Sequence, residues 1–199
     1  MTIKHATIKH ARPKRRIGTF SIRRFISNRN GASAVEFALL LPILLLLLAA
    51  TLDLGHALTV NRKLDQIAAT TGDVISQQGT WTKSNVAGLL SGMSFILQPY
   101  DTTGLTITVA VEDVSANGTA TVNWSAALNT SSLAAGSASP ITVPAKIQEG
   151  GVQVVLTRVQ YKFTTPISAF LGSFTGISGY SFDRYFFNRP RTADTITYN

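Results

Sequence analysis

The 199-residue chain has no cysteine. That excludes disulfide cross-links, thiolate metal sites and a thiol nucleophile together. Histidine is scarce, and His5, His10 and His56 are the full set. Two of these lie in the first ten residues without a third ligand beside them, so no metal site is expected. No Ser/His/Asp set can be assembled, and there is no HExxH, no phosphate-cradling loop and no GxGxxG. Glu112-Asp113 is an adjacent carboxylate pair, but neighbours along a strand point to opposite faces. The expectation is a chain with no cofactor and no enzymatic activity.

Acidic residues are missing from one region altogether. Residues 1–30 hold nine Lys/Arg and no Asp or Glu, while the remaining nine Lys/Arg face ten Asp/Glu. The net charge of +8 is therefore local to one arm. A basic arm can signal nucleic acid, but this one directly precedes an apolar helix. The positive-inside rule accounts for it better, with the N-terminus in the cytoplasm and the C-terminal domain outside. A tandem repeat, Thr2-Ile3-Lys4-His5-Ala6 and Thr7-Ile8-Lys9-His10-Ala11, is too short for a solenoid unit and reads as a basic tail. Arg23-Arg24-Phe25-Ile26 lacks the spacing of a twin-arginine export signal.

Charge is also absent between Glu36 and Asp53. Those sixteen residues span roughly 24 Å as a helix, and a bilayer core of about 30 Å needs nearer 20 residues. The span closes only if residues on either side also enter, which places Glu36 or Asp53 in the apolar slab or at its edge. A carboxylate there costs about 2.5–3.5 kcal/mol on insertion scales and is a functional hypothesis by default. An ordinary secretory signal would be shorter and would not carry an acid at its front, although Ala49-Ala50 approaches a cleavage site.

Beyond Thr51, Leu54, Leu58, Leu64, Ile67, Ala68, Val74 and Ile75 recur at steps of mostly three and four, so one long helix is expected to reach about residue 78. A short helix is expected over 82–97, capped by Thr82 or Ser84, with Val86, Leu89, Leu90, Met93 and Leu97 on one face. Pro99 ends it. From Leu105 the period becomes two. Leu105, Ile107, Val109 and Val111, then Ala120, Val122, Trp124 and Ala126, flank Asn117-Gly118, whose two residues tolerate positive φ and signal a hairpin. Trp124 reads as a core residue. Residues 129–144 read as a surface loop. Val152, Val154 and Leu156 alternate in one phase and Val159, Tyr161 and Phe163 in the other, which a bulge near Thr157-Arg158 would reconcile. Phe170, Leu171, Phe174 and Ile177 make an apolar stretch, loosened by glycines, that packs on the sheet or touches membrane. Strands are expected over 180–187 and 195–198. The fold class is α+β, with a long N-terminal transmembrane and amphipathic helix, a short helix and an antiparallel sheet of three to five strands.

The junction Asn28-Arg29-Asn30-Gly31-Ala32-Ser33-Ala34-Val35-Glu36-Phe37 resembles the processing site of type IV prepilins. The basic leader ends in Gly, and Glu is the fifth residue after it, followed by an aromatic and an apolar helix. The string GASAVEFALLLPILLLLL, with Asp53, Gly55 and the helix over 64–69, is similar to the TadE-like family of the tight-adherence (Flp) pilus system. The resemblance implies a pilin-like fold and a pseudopilin or minor pilus-assembly component of the bacterial inner membrane. It implies cleavage by a prepilin peptidase between Gly31 and Ala32, and partners among other pilins, pseudopilins and Tad assembly proteins. It implies a leader over 1–31, a membrane helix over 32–60 and a periplasmic domain over 61–199. Glu36, next to Phe37, would pair with the amine that cleavage creates on a neighbouring subunit, offsetting its burial cost. Alternatively it snorkels to the headgroups. Asp53 and His56 share a helix face at the membrane edge. The alternative function is an unprocessed single-pass envelope protein presenting a small binding domain. Nucleic acid is not an expected partner.

Overall fold

A computed structural model of the chain describes residues 30–176 and 179–199. The repeat with His5 and His10, the Arg23-Arg24 doublet, Asn28-Arg29 and Ile177 lie outside the described residues. The chain divides into two units, Met1–Leu46 and Leu47–Asn199, and helix α1 (Asn30–Ser76) enters both.

In the first unit the described residues belong to α1, and every residue from 31 to 46 is exposed. The helix runs through Pro42. A proline removes one amide donor, and the apolar run on both sides continues the helical pattern.

In the second unit α1 becomes a core helix. Ala57, Val60, Leu64, Ile67, Ala68 and Ile75 are buried, at the three- and four-residue steps that place side chains on one helix face. After α1 come the two-residue strand β1 (Thr80–Trp81) and helix α2 (Lys83–Ser94). Thr82 caps α2 by accepting from the Asn85 amide at 3.2 Å, and a 3-10 turn over Phe95–Leu97 finishes it before Pro99. Val86, Leu90 and Leu97 are buried and Leu89 and Met93 pack against the core, the face read from the sequence.

The main sheet has four strands in the order β3-β2-β4-β5, all antiparallel: β2 (Thr106–Val114), β3 (Ala120–Leu128), β4 (Gln153–Phe163) and β5 (Tyr180–Asn188). Its inner face, with Ile107, Val109, Val111, Trp124, Val155, Val159, Tyr161 and Phe163, shares one core with α1 and α2. Trp124 is a core residue, stacked on Tyr198 at 4.4 Å and donating to the Ile196 carbonyl at 2.9 Å. A further strand, β6 (Thr197–Tyr198), pairs in parallel with β1, a pairing that the sequence pattern does not announce.

Three local expectations are corrected. The hairpin forms, but its loop has three residues. The Ser115 amide donates to the Thr119 carbonyl at 2.9 Å, and only Gly118 takes a positive φ, 81°. This is a type I turn closed by a left-handed glycine. The Asn117 side chain serves the turn differently, accepting from the Thr119 amide at 3.2 Å.

Second, β4 has no bulge, since its register with β2 and with β5 is continuous. Both faces of residues 153–157 are buried, so the change of apolar phase marks two differently covered faces. The register irregularity lies between β2 and β3 instead, where Val111 pairs with Trp124 and Glu112 with Val122. The loop over 129–144 provides the outer cover. It is largely exposed, but Val143 is buried with Val114, Ala120 and Val154, and the Val122 amide donates to the Ser137 carbonyl at 2.8 Å. The loop thus occupies the otherwise open edge of β3. Under this cover Glu112 is fully buried, and neither carboxyl oxygen has a well-placed partner. Burial pushes its pKa up to about 7, offset only in part by the Ser139 hydroxyl.

Third, the glycine-loosened stretch contains a helix, α3 (Pro166–Thr175). Thr165 and Ser168 form a reciprocal capping box, with 2.9 Å bonds in each direction, Pro166 stands at the first helical position, and Gly176 closes the helix at φ 75°.

Candidate functional site

The junction residues sit at the start of α1. Gly31 is in the first turn, where a Cβ would meet nothing within 4 Å and φ lies outside the positive region. Neither packing nor backbone geometry in the described structure requires glycine there. Ala32, Glu36 and Phe37 are exposed. Ala32 and Glu36 stand four residues apart and so share a helix face. Among the described residues Glu36 forms no ion pair within the chain. The apolar residues that follow, from Leu39 to Leu48, are each between 39% and 69% exposed where large. α1 is the one helix among the described residues long and apolar enough to cross a membrane.

The polar pair further along α1 belongs to the second unit. Asp53 is 4% exposed and accepts from the Tyr180 hydroxyl at 3.0 Å, while its other oxygen has no partner among the described residues. The Tyr180 hydroxyl is held above its ordinary pKa, first by burial and then by Asp53. His56 Nδ1 lies 3.1 Å from the Tyr100 hydroxyl, with the two rings edge to face at 6.1 Å. Asp53 and His56 therefore do not join one another, and each takes its own tyrosine. Aromatic contacts link those tyrosines. Tyr100 meets Phe163 at 5.4 Å, Phe163 meets Tyr180 at 6.4 Å, and Tyr180 meets Phe182 at 6.4 Å.

β5 continues this contact up the helix. Arg184 Nε donates to Asn61 Oδ1 at 2.7 Å and lies 3.5 Å from Asp65. At the far end a Cβ on Gly72 would collide with the Asn188 side chain and stand 3.1 Å from the Thr157 hydroxyl oxygen. A side chain at position 72 would have to displace the Asn188 amide. Residues 53 to 72 of a helix cover about 28 Å, and residues 180 to 188 of a strand about 26 Å. Strand and helix therefore run side by side in the same direction for the whole length of β5. Beyond β5, the Arg191 amide donates to the Ser76 carbonyl at 2.8 Å, and its side chain pairs with Asp73.

Residues 31–72 match the family model described as TadE-like protein. Over this stretch the chain is similar to that family. The match begins at the junction glycine and ends at Gly72, where β5 reaches the helix, so the TadE-like segment is α1 itself without the sheet. It supports a role related to the Tad pilus. No curated protein and no solved structure matches the chain.

Sequence reasoning missed Tyr180, Tyr100, Arg184 and Asn188, which hold the TadE-like helix to the domain. Their partners are 44 or more residues away in sequence, so no periodicity exposes them. The available signal was tyrosine itself, which is enriched where apolar surroundings give way to water. Among the described residues no group of three His, Asp or Glu is placed to hold a metal.

Proposed function

We propose that the chain is a pseudopilin or minor component of Tad (Flp) pilus biogenesis, anchored in the bacterial inner membrane and cut by a prepilin peptidase between Gly31 and Ala32. The observation that carries this reading is the TadE-like match starting at Gly31, on a helix whose residues 31–46 are all exposed among the described residues. The leader of 1–31 stays in the cytoplasm, α1 crosses the membrane within 32–60, and the domain over 61–199 lies on the periplasmic side. Asp53 fits a membrane-edge position because Tyr180 covers it, while Leu52, Leu54 and Leu58 are more than half exposed. At Gly31 the absence of a side chain leaves the bond to Ala32 accessible to an intramembrane peptidase. The amine freed at Ala32 pairs with Glu36 of a neighbouring subunit, which offsets the cost of an acid in an apolar slab.

Intact-mass measurement of the membrane-extracted chain tests the processing step. A mature N-terminus at Ala32 is expected. An intact leader would favour the single-pass envelope protein instead, and an N-terminus near Thr51 would contradict both.

A further inference from the structure

The parallel run of β5 along α1 fixes which end of the sheet lies at Asp53. Tyr180, the first residue of β5, bonds Asp53, and Phe163, the last residue of β4, pairs with Tyr180 in the sheet. Both strand ends therefore lie at the Asp53 end of α1. Helix α3 joins them, so it lies at that end too. The N-terminal turn of α3 turns polar groups inward, with Thr165 and Ser168 buried in their mutual capping bonds. Its outward side carries Ala169, which is exposed, and Phe170, which is 60% exposed. From Phe163 to Phe182 there is no Asp, Glu, Lys, Arg or His, and the run is bracketed by Lys162 and Asp183. Next to Asp53 in the sequence of α1, Leu52, Leu54 and Leu58 are exposed at 56%, 53% and 52%. The tyrosine hydroxyls in this region point at α1 rather than outward, to Asp53 and His56.

We infer that α3 is a second membrane contact, lying in the headgroup region of the bilayer that α1 crosses, with Phe170 against the acyl boundary. The inference rests on the anchoring of α1 argued above. A lipid surface suits this face for two reasons. The exposed leucines Leu52, Leu54 and Leu58 lie at the same end of the domain's part of α1 as Asp53, to which Tyr180 bonds, and the twenty-residue run has no charge with which to select a protein partner. Interfacial helices bind by burying one apolar side at the headgroup level. Here the domain takes the place of the aqueous side by holding Ser168. Two contacts, one spanning and one lying flat, would fix the tilt of the domain over the membrane, which a single helix cannot do.

The absence of cysteine allows a direct test. The full chain is reconstituted in phosphatidylethanolamine/phosphatidylglycerol vesicles with a nitroxide on one introduced cysteine: Phe170→Cys, Ala169→Cys, Leu45→Cys or Thr119→Cys. Thr119 lies in the β2–β3 turn, at the far end of the sheet. Collision with oxygen and with a water-soluble nickel chelate is compared. The expected order of the oxygen-to-nickel ratio is Leu45 highest, Phe170 and Ala169 intermediate and severalfold above Thr119, and Thr119 lowest. Leu45 buried in lipid with 169 and 170 as wet as 119 overturns this proposal while leaving the anchor intact. Labels at 169 and 170 shielded from both reagents, or broadened by a second label, would mean a protein partner or second copy, which also overturns it. A wet Leu45 overturns the anchoring and this proposal together.

Discussion

α1 is one helix with two kinds of surface. Between Ala57 and Ile75 one apolar face, Ala57, Val60, Leu64, Ile67, Ala68 and Ile75, is buried by its own chain. From Gly31 to Leu46 no side chain is covered by the described chain. The two glycines that bound the TadE-like match divide in the same way. At Gly72 a Cβ would meet the Asn188 and Thr157 side chains, whereas Gly31 has open space around it. The two acids divide likewise. Asp53 has Tyr180, and Glu36 has no ion-pair partner within the described chain. A residue whose identity the fold does not explain is explained by something outside the fold. Under the proposed function, for the first half of α1 that means lipid, a peptidase and neighbouring subunits.

The same substitution in each half sharpens this contrast most. Leu64→Ala is expected to lower the stability of the domain by about 2–5 kcal/mol, because Leu64 is fully buried and its loss leaves a cavity. Leu45→Ala is expected to leave urea unfolding of the domain in detergent unchanged. Equal effects would break the division.

The next effect depends on pH. Glu112 is buried with its pKa raised to about 7 from 4.5. A raised acid is neutral in the fold, so its contribution is fully present below the unfolded pKa and is lost as pH rises through 7. The free energy of unfolding should fall between about pH 4.5 and 7.5, by about 2–3 kcal/mol in all, and Glu112→Gln should flatten that slope. Its cause is local to the outer face of the sheet, so Glu36→Gln should leave the slope untouched.

Tyr180→Phe removes the hydroxyl on Asp53 and leaves that buried acid bare. The expected cost is about 1–3 kcal/mol, read by thermal unfolding, with protease access near the start of β5 increased. Gly31→Ala is also expected to stay within about 0.5 kcal/mol of the parent, since its Cβ enters open space. Under the proposed function it should nevertheless slow removal of the leader.

What could be read from the sequence follows the reach of each interaction. The long helix, α2 with its Thr82 cap, and the β2–β3 hairpin are encoded in periods and dipeptides a few residues long. The phase change in β4 was visible but was assigned to the wrong cause, because the pattern shows that a face is apolar and not what covers it. Thr165-Pro166 and Gly176 were sufficient to mark α3, but the glycines around them masked the helix. The pairing of β1 with β6 and the contacts from Asp53 to Gly72 join segments more than a hundred residues apart, and no local signal carries them. At the junction the reverse holds. Gly31, Ala32, Glu36 and Phe37 resemble a local motif, and among the described residues Glu36 has no ion-pair partner.

The central claim is that the exposed first half of α1 is completed by copies of pilus subunits through Glu36. A zero-length carbodiimide cross-link on membranes, read by peptide mass spectrometry, tests it directly. The account expects an amide between the Ala32 amine of one subunit and a Glu36 carboxyl of another, abolished by Glu36→Gln. Cross-linked species unchanged in Glu36→Gln, with no such amide in the parent, would contradict it.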